Sequence, residues 1–396
     1  METRLAKSLG ETFGCLKRGR YSVWSLCVFS FILVLLSRLF VFIFYLFYAK
    51  NTGDSRGFLE AFNIWDAVWY RDIAAQGYTS AAQYSGGLVN WAFFPLFSLL
   101  AAGFAGLTGL ELYFAGFLLN MILQAAALVL VFRYVLETRE QNMIQAVFAC
   151  ILLSLGCYSF YFASFYTESL YLFLFTGALY FLYEKKYLLV GIFGAMLSAT
   201  KNTGVVLLLG VVVSALVEYW QSVPGKKSIG GFLRVYFANW KRTACTALIP
   251  AGLLLFMLFL SQRAADPLAF LHAQSAWGGS VGNPLAVIWN GFASGEAKQV
   301  FFAVCALGGL GLCGFLFWKK RWTEATMALA LLLIPLSVRL QSIPRYLAGN
   351  VLFTLALTDL ILRTKKRWLV AATIAASVLA EFYLLFLWFA GSTFLW

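Results

Sequence analysis

The chain has 396 residues, of which 62% are hydrophobic and 12% charged, with a formal net charge of +13. A soluble domain of this length carries about a quarter charged residues, so the composition excludes a soluble globular protein and indicates a polytopic membrane protein. The basic excess is no nucleic-acid footprint, because it is gathered into short clusters between apolar runs, the pattern of cytoplasmic loops.

The first apolar run, 22–48, follows the cluster Arg4, Lys7, Lys17, Arg18 and Arg20. It is far longer than a signal-peptide core and no small-residue cleavage site follows it, so it reads as a permanent first helix. Further runs lie at 92–108, 112–134, 142–160, 167–183, 187–200, 203–220, 244–262, 300–318, 322–338, 346–362 and 368–390. At roughly twenty residues per span they predict an all-α protein with about 11–12 transmembrane helices. The whole of 1–396 is expected to form one membrane domain, with no internal repeat or low-complexity tract. Two large loops stand out, 49–90 after the first span and 263–299 later in the chain. Pro95 and three glycines leave 91–110 open between a short span and a re-entrant element.

Lys185–Lys186, the basic residues of 221–242, Lys319–Arg321 and Arg363–Arg367 mark one side as cytoplasmic. The connections 160–168, 200–204, 263–299 and 339–345 then fall on the other side, as does 49–90. With Arg133 and Arg139 inside as well, 91–110 cannot be a full crossing; if it does cross, that one basic pair falls outside, and both readings stay open. Asp66, Asp72, Glu168, Lys201, His272, Gln274 and Arg345 therefore all come out extracytoplasmic. Acids and bases gathered on one face suit an enzyme better than a pore or a scaffold subunit.

The first external loop carries Ile64-Trp65-Asp66-Ala67-Val68-Trp69-Tyr70-Arg71-Asp72 and ends at Gly77-Tyr78. Its mixture of acid and large aromatics fits a helix lying at the membrane surface. On such a helix Trp65, Val68, Trp69 and Ile73 form an apolar stripe with Asp66 and Tyr70 at its edge. An acid held among aromatic rings is partly desolvated, which raises its pKa and suits a general base. Asp72 lies about 120° around the helix from Asp66 and is expected to pair with Arg71 or Lys50 instead.

Next comes Asn90-Trp91-Ala92-Phe93-Phe94-Pro95, a proline-marked helix start at the membrane boundary. In Tyr166-Thr167-Glu168-Ser169, Thr167 suits a helix N-cap and Glu168 the first turn, where it is either structural or a partner for hydroxyl groups. Lys201-Asn202-Thr203-Gly204 interrupts a long apolar stretch, and a lysine there needs water or an anion such as a phosphate. His272 is the one histidine, which excludes a multi-histidine zinc site. It and Gln274 are loop groups able to contact substrate. Arg345, after Pro344, can fork onto a phosphate at the outer face. Arg38 and Glu381 lie inside apolar runs and are expected to pair with each other or to serve the site. The seven cysteines lie in or beside apolar runs without metal-ligand spacing, as small core residues do.

Trp65-Asp66 with Trp69, Ile73-Ala74 and Gly77-Tyr78, followed by Phe93-Phe94-Pro95, resembles the PIG-V type (GPI mannosyltransferase 2-like) family of GT-C fold glycosyltransferases, prokaryotic members included. The family pattern reads roughly W-D-x-x-W/H-Y-x-x-I-A-x-x-G-Y, then F-F-P-L-Y-P; Ser98 stands where its last proline is usual. Thr167 and Lys201 replace the serine and arginine of later family stretches. The resemblance covers most of 20–350 and implies transfer of mannose from a polyprenyl- or dolichyl-phosphate-linked donor to an extracytoplasmic acceptor. It further implies that Asp66 activates the acceptor hydroxyl in an inverting single displacement. Trp65, Trp69, Tyr70, Glu168, Lys201, His272, Gln274, Arg345 and Arg38 are then the candidate substrate-binding residues.

Glycan, glycolipid and protein acceptors all remain open. No cofactor is expected, and the external acids are too scattered to spell a metal site, which leaves a divalent ion open. Short loops point to a prokaryotic plasma membrane, and a eukaryotic version belongs in the ER. Two rival readings remain: a GT-C enzyme with another lipid-linked sugar donor, and a flippase for the lipid-linked sugar, which would hold polar groups near the midplane on broken helices.

Overall fold

Each apolar run of the sequence is a helix, or a helix with a short partner, in a computed structural model that describes residues 22–139, 142–222, 226–276 and 282–395. The N-terminal basic cluster, Cys15 and Trp277-Gly278 lie outside the described residues. In chain order the helices are α1 (Val23–Thr52), α2 (Phe58–Phe62), α3 (Asp66–Gln76), α4 (Leu96–Thr108), α5 (Leu112–Thr138), α6 (Asn142–Leu155) and α7 (Glu168–Tyr183). They continue as α8 (Tyr187–Ser198), α9 (Leu207–Ser222), α10 (Ile229–Ala238), α11 (Trp240–Leu248), α12 (Ala251–Arg263) and α13 (Ala269–Ala276). The last are α14 (Pro284–Ala293), α15 (Ala297–Trp318), α16 (Trp322–Leu336), α17 (Ile343–Gly349), α18 (Val351–Arg363) and α19 (Arg367–Phe389). The described residues contain no strand, so this is an all-α, multi-pass membrane protein.

By length and composition, six of the described helices can cross a membrane: Val23–Thr52, Leu112–Thr138, Asn202–Ser222, Trp240–Arg263, Ala297–Trp318 and Arg367–Phe389. Two of these join a short helix to a longer one. A seventh forms if α17 and α18, bent by 73° at their junction, count as one broken span. Other apolar runs are shorter helices. Hydropathy locates a segment but does not say whether its helix is straight and long enough to reach across about 30 Å.

The helices have chemically distinct ends. At one end Arg139 pairs with Glu324 at 2.6 Å, Lys185 and Arg242 share Glu218, and the Arg363 guanidinium lies 4.4 Å from the Trp318 ring centre. These contacts join the loops expected to be cytoplasmic. At the other end stand Asp66, Glu168, Lys201 and Arg345. α5, α7 and α9 each run from the second end to the first.

That polarity bears on α4. Its 13 residues cover about 20 Å, short of a crossing. It starts where the Leu96 amide donates to the Ala199 carbonyl, close to Lys201. It hands over to α5, whose early residue Tyr113 lies under the Arg71 guanidinium of the first external loop. Both ends of α4 thus lie at the end of the helices that carries Asp66 and Lys201, as in a re-entrant element.

Candidate active site

α3 is shorter than the aromatic pattern suggests. Its first residue is Asp66, and Trp65 stands outside it with φ 58° and ψ −125°, an uncommon conformation for a residue with a side chain. Because the helix starts one residue later, Trp65 does not extend an apolar stripe. The buried face is Ala67, Tyr70 and Ile73, and Val68 is exposed. The break aims Trp65 and Asp66 toward the interior. The Asp66 amide donates to the Tyr166 hydroxyl at 3.0 Å, tying α3 to the segment before α7. Asp72 faces Arg71 at 3.7 Å, as its position on the helix predicts.

The connection from Gly77 to Phe93 is closed by its own side-chain hydrogen bonds, and one further bond ties α4 to α3. Asn90 accepts from the Thr79 amide and donates to the Gly77 carbonyl, Trp91 donates to the Thr79 carbonyl, and Tyr78 donates to the Phe93 carbonyl at 2.6 Å. Ser98 donates to the Tyr70 carbonyl at 2.8 Å, a use a proline there would not allow. Phe93 and Phe94 are thereby held at the wall of a cavity of about 410 Å3.

Glu168 opens α7 inside that cavity. Thr167 precedes it, but its hydroxyl does not cap the helix, contrary to the sequence expectation. Lys201 lies in extended backbone between α8 and a short 3-10 helix, Asn202–Val206. That reversal is tight: a Cβ on Gly204 would lie 2.5 Å from the Leu197 carbonyl, which explains the glycine. Lys201 Nζ meets Glu168 Oε1 at 3.0 Å, so its anionic partner is supplied by the chain. Arg345, on the short arm α17, lies 3.8 Å from the same oxygen and 3.9 Å from Asp66 Oδ2. Tyr161, Tyr166 and Tyr346 surround its guanidinium at 4.8, 5.8 and 5.2 Å. The helix bend after α17 is set by Asn350, extended and capping α18 through the Leu352 amide.

The two acids therefore differ. Glu168 lies between two cations, while among the described residues the Asp66 carboxylate has one ion-pair partner within 4 Å, Arg345, and accepts no side-chain hydrogen bond. Desolvation pushes the Asp66 carboxyl above its ordinary value, more than Arg345 lowers it. Its exposed surface faces the cavity.

Trp65, Asp66, Tyr70, Glu168, Lys201, Gln274 and Arg345 line the cavity together. Three other candidates do not. Trp69 is stacked on Phe93, with ring centres 5.9 Å apart, and stands behind the wall. His272 is mostly exposed, with Nδ1 2.6 Å from Asp266, whose carboxyl it holds below the usual range. Arg38 is buried away from the cavity and donates to Gln124 and to the Phe162 carbonyl. Nor does it pair with Glu381, which accepts from the Ser159 hydroxyl and the Phe160 amide. An apolar run cannot say where a buried charge points. Conversely, Arg339, Ser342 and Tyr346 line the cavity without having been singled out. The position of 339–345 in an outer connection was the one signal available for Arg339.

No family model and no curated protein matches the chain. Among solved structures it is similar to an Archaeoglobus fulgidus oligosaccharyltransferase, whose crystal structure carries a tethered acceptor peptide containing the NVT sequon. The TM-score is 0.46 at 14% identity, with 97% of this chain and 56% of that one covered. The chain thus spans little more than half the length of that protein. The likeness assigns neither family nor activity to this chain, and the PIG-V resemblance rests on the motifs quoted above.

Proposed function

We propose that the cavity transfers a sugar, mannose on the family resemblance, from a polyprenyl- or dolichyl-phosphate carrier to an acceptor hydroxyl on the extracytoplasmic side. The observation that carries the reading is the unequal pair of acids: Glu168 is neutralised by Lys201 and Arg345, which leaves Asp66 as the cavity carboxylate able to take a proton. In the step, the acceptor O–H gives its proton to Asp66 as its oxygen bonds to the anomeric carbon. The bond from that carbon to the phosphate oxygen breaks, and its electron pair leaves on the lipid phosphate. On the family resemblance the displacement is single and inverts the anomeric centre. Lys201, Arg345 and Arg339 supply positive charge for the departing phosphate. Gln274, Tyr70 and Glu168 supply polar atoms for sugar hydroxyls. The membrane is best read as a prokaryotic plasma membrane, the acceptor as a glycan, glycolipid or protein.

The flippase reading fits less well, because the charged groups gather at one end of the helices rather than around the middle. Purified protein in liposomes, given polyprenyl-phosphate-[3H]mannose, separates the two. Transfer or release of mannose supports the enzyme, and movement of intact donor between leaflets sinks it. Asp66→Asn should lower turnover by about 10²–10⁴-fold with the protein still expressed. Wild-type turnover in that variant would remove Asp66 as the base.

A further inference from the structure

A second cavity, of about 270 Å3, opens beside the first and is lined by Arg56, Ile64, Trp65, Phe389, Ala390 and Gly391. The two cavities have one lining residue in common, Trp65, the neighbour of Asp66. Lys201, Arg339 and Arg345 line the first cavity and none of them lines the second. We propose that the second cavity is the acceptor subsite and that it takes a polyhydroxylated ring, a glycoside, against Trp65.

The proposal rests on the transfer reading above. In a direct displacement the attacking oxygen must approach the anomeric carbon from the side opposite the leaving phosphate. Lys201, Arg339 and Arg345 belong to the first cavity, while the one cation lining the second, Arg56, is already paired with Asp54, so the second suits the uncharged acceptor. Asp66 lines the first cavity, and Trp65, next to it in the chain, is the side chain that borders both.

Its walls are built and chemically mixed. Trp65 owes its position to the left-handed backbone just before α3, the one break of that kind between α1 and α4 at a residue with a side chain among the described residues. Arg56 is fixed by a forked pair with Asp54 and by donation to the Phe389 carbonyl at 3.2 Å. The Arg56 carbonyl in turn accepts from the Tyr45 hydroxyl of α1. The remaining wall is the C-terminal turn of α19, where Gly391 turns the chain at φ 63° and the Phe389 carbonyl is taken up by Arg56. An indole face and guanidinium N–H groups suit a ring whose faces are apolar and whose edge hydroxyls accept.

The test uses the full-length protein in liposomes with polyprenyl-phosphate-[3H]mannose and octyl α-mannoside as acceptor probe. Water competes as acceptor, so each variant gives a ratio of disaccharide to free mannose. Ala390→Leu, which fills the second cavity, and Trp65→Ala, which removes its aromatic wall, should each lower that ratio at least tenfold. Trp65→Phe should restore much of it, which loss of folding would not allow. A ratio within twofold of wild type in Ala390→Leu overturns the proposal. So does release of free mannose by the wild type with no transfer to the glycoside, an outcome that leaves the enzyme reading standing. Absence of any donor turnover overturns both.

Discussion

Asp66 and Glu168 occupy one cavity under opposite conditions, and single substitutions should separate them by sign. Asp66 carries a carboxyl raised by desolvation, so its charged form is disfavoured in the folded protein. A raised carboxyl binds its proton more tightly folded than unfolded. Stability is therefore lost as pH rises from the unfolded value of 3.8 through the folded one, and at neutral pH ionised Asp66 is a net cost. Asp66→Asn should leave the melting temperature equal or higher at pH 7 while removing turnover. Glu168→Gln should do the reverse to stability, because it leaves Lys201 and Arg345 without the anion between them; the cost is about 3 kcal/mol, at the low end for a buried pair. Thermal melts of the two variants in one detergent decide the matter, and equal shifts would count against the difference in their surroundings. Because the base must be ionised, the rate should fall as pH drops through the raised Asp66 value. The acid limb of kcat/KM for donor hydrolysis should then lie above the ordinary carboxylate range. A limb at an ordinary value, about 4, would show that Asp66 is not the titrating group.

At the scale of elements, the site depends on a short turn that no motif announces. Residues Ser159–Phe162 form a 3-10 turn just before Tyr166 and Glu168. Arg38 from α1 and Ser169 from α7 both donate to the Phe162 carbonyl, and Glu381 from α19 accepts from Ser159 and the Phe160 amide. Asn63 accepts from the Phe165 amide at 2.7 Å and secures the far end. The two charges buried in apolar runs thus grip the backbone that leads to Tyr166 and Glu168, and are expected to position it. Glu381→Ala should lower kcat by about 10–100-fold through misplacement, with the acid limb of the pH profile unmoved because Asp66 is intact. Glu381→Gln keeps an acceptor oxygen and should recover most of the loss; a variant as poor as alanine would argue that the charge itself acts. Sequence made these two residues conspicuous, since an ion in an apolar run is rarely idle. It could not name their partners, because the bonds join distant segments, 86 positions apart for Arg38 and Gln124 and 222 for Glu381 and Ser159. Trp69 and His272 do not line the cavity for a related reason. Their chemistry was attractive, but the direction of a side chain depends on where the helix starts and what packs beside it.

For the whole molecule, hydropathy and charge were enough to find the long apolar helices and to gather the basic loops at one end, because both are sums over many residues. The short helices Phe58–Phe62, Ile229–Ala238, Ala269–Ala276 and Pro284–Ala293 lie in stretches read as loops. Helix breaks were harder, as the bend at Asn350 and the reversal at Lys201 are set by local capping and by packing with distant chain. The arrangement makes α4 the sharpest test of topology. If α4 crossed the membrane, α5 would begin on the cytoplasmic side and Arg139 would end up outside. Yet Arg139 pairs with Glu324, and the Arg321 guanidinium reaches the Thr138 carbonyl at 3.3 Å, next to the basic turn 319–321. Single cysteines placed in a background with the native cysteines replaced can distinguish the two. His272→Cys lies on an exposed outer helix and Lys186→Cys in an exposed basic turn, so they report opposite sides. Leu107, 89% exposed at the far end of α4, is the reporter for the helix in question. In right-side-out vesicles a membrane-impermeant maleimide should label positions 272 and 107 and spare 186. Labelling of Leu107→Cys only after the membrane is opened, together with Lys186→Cys, would make α4 a full crossing. It would also split the Arg139–Glu324 pair across two faces, which the structure does not permit.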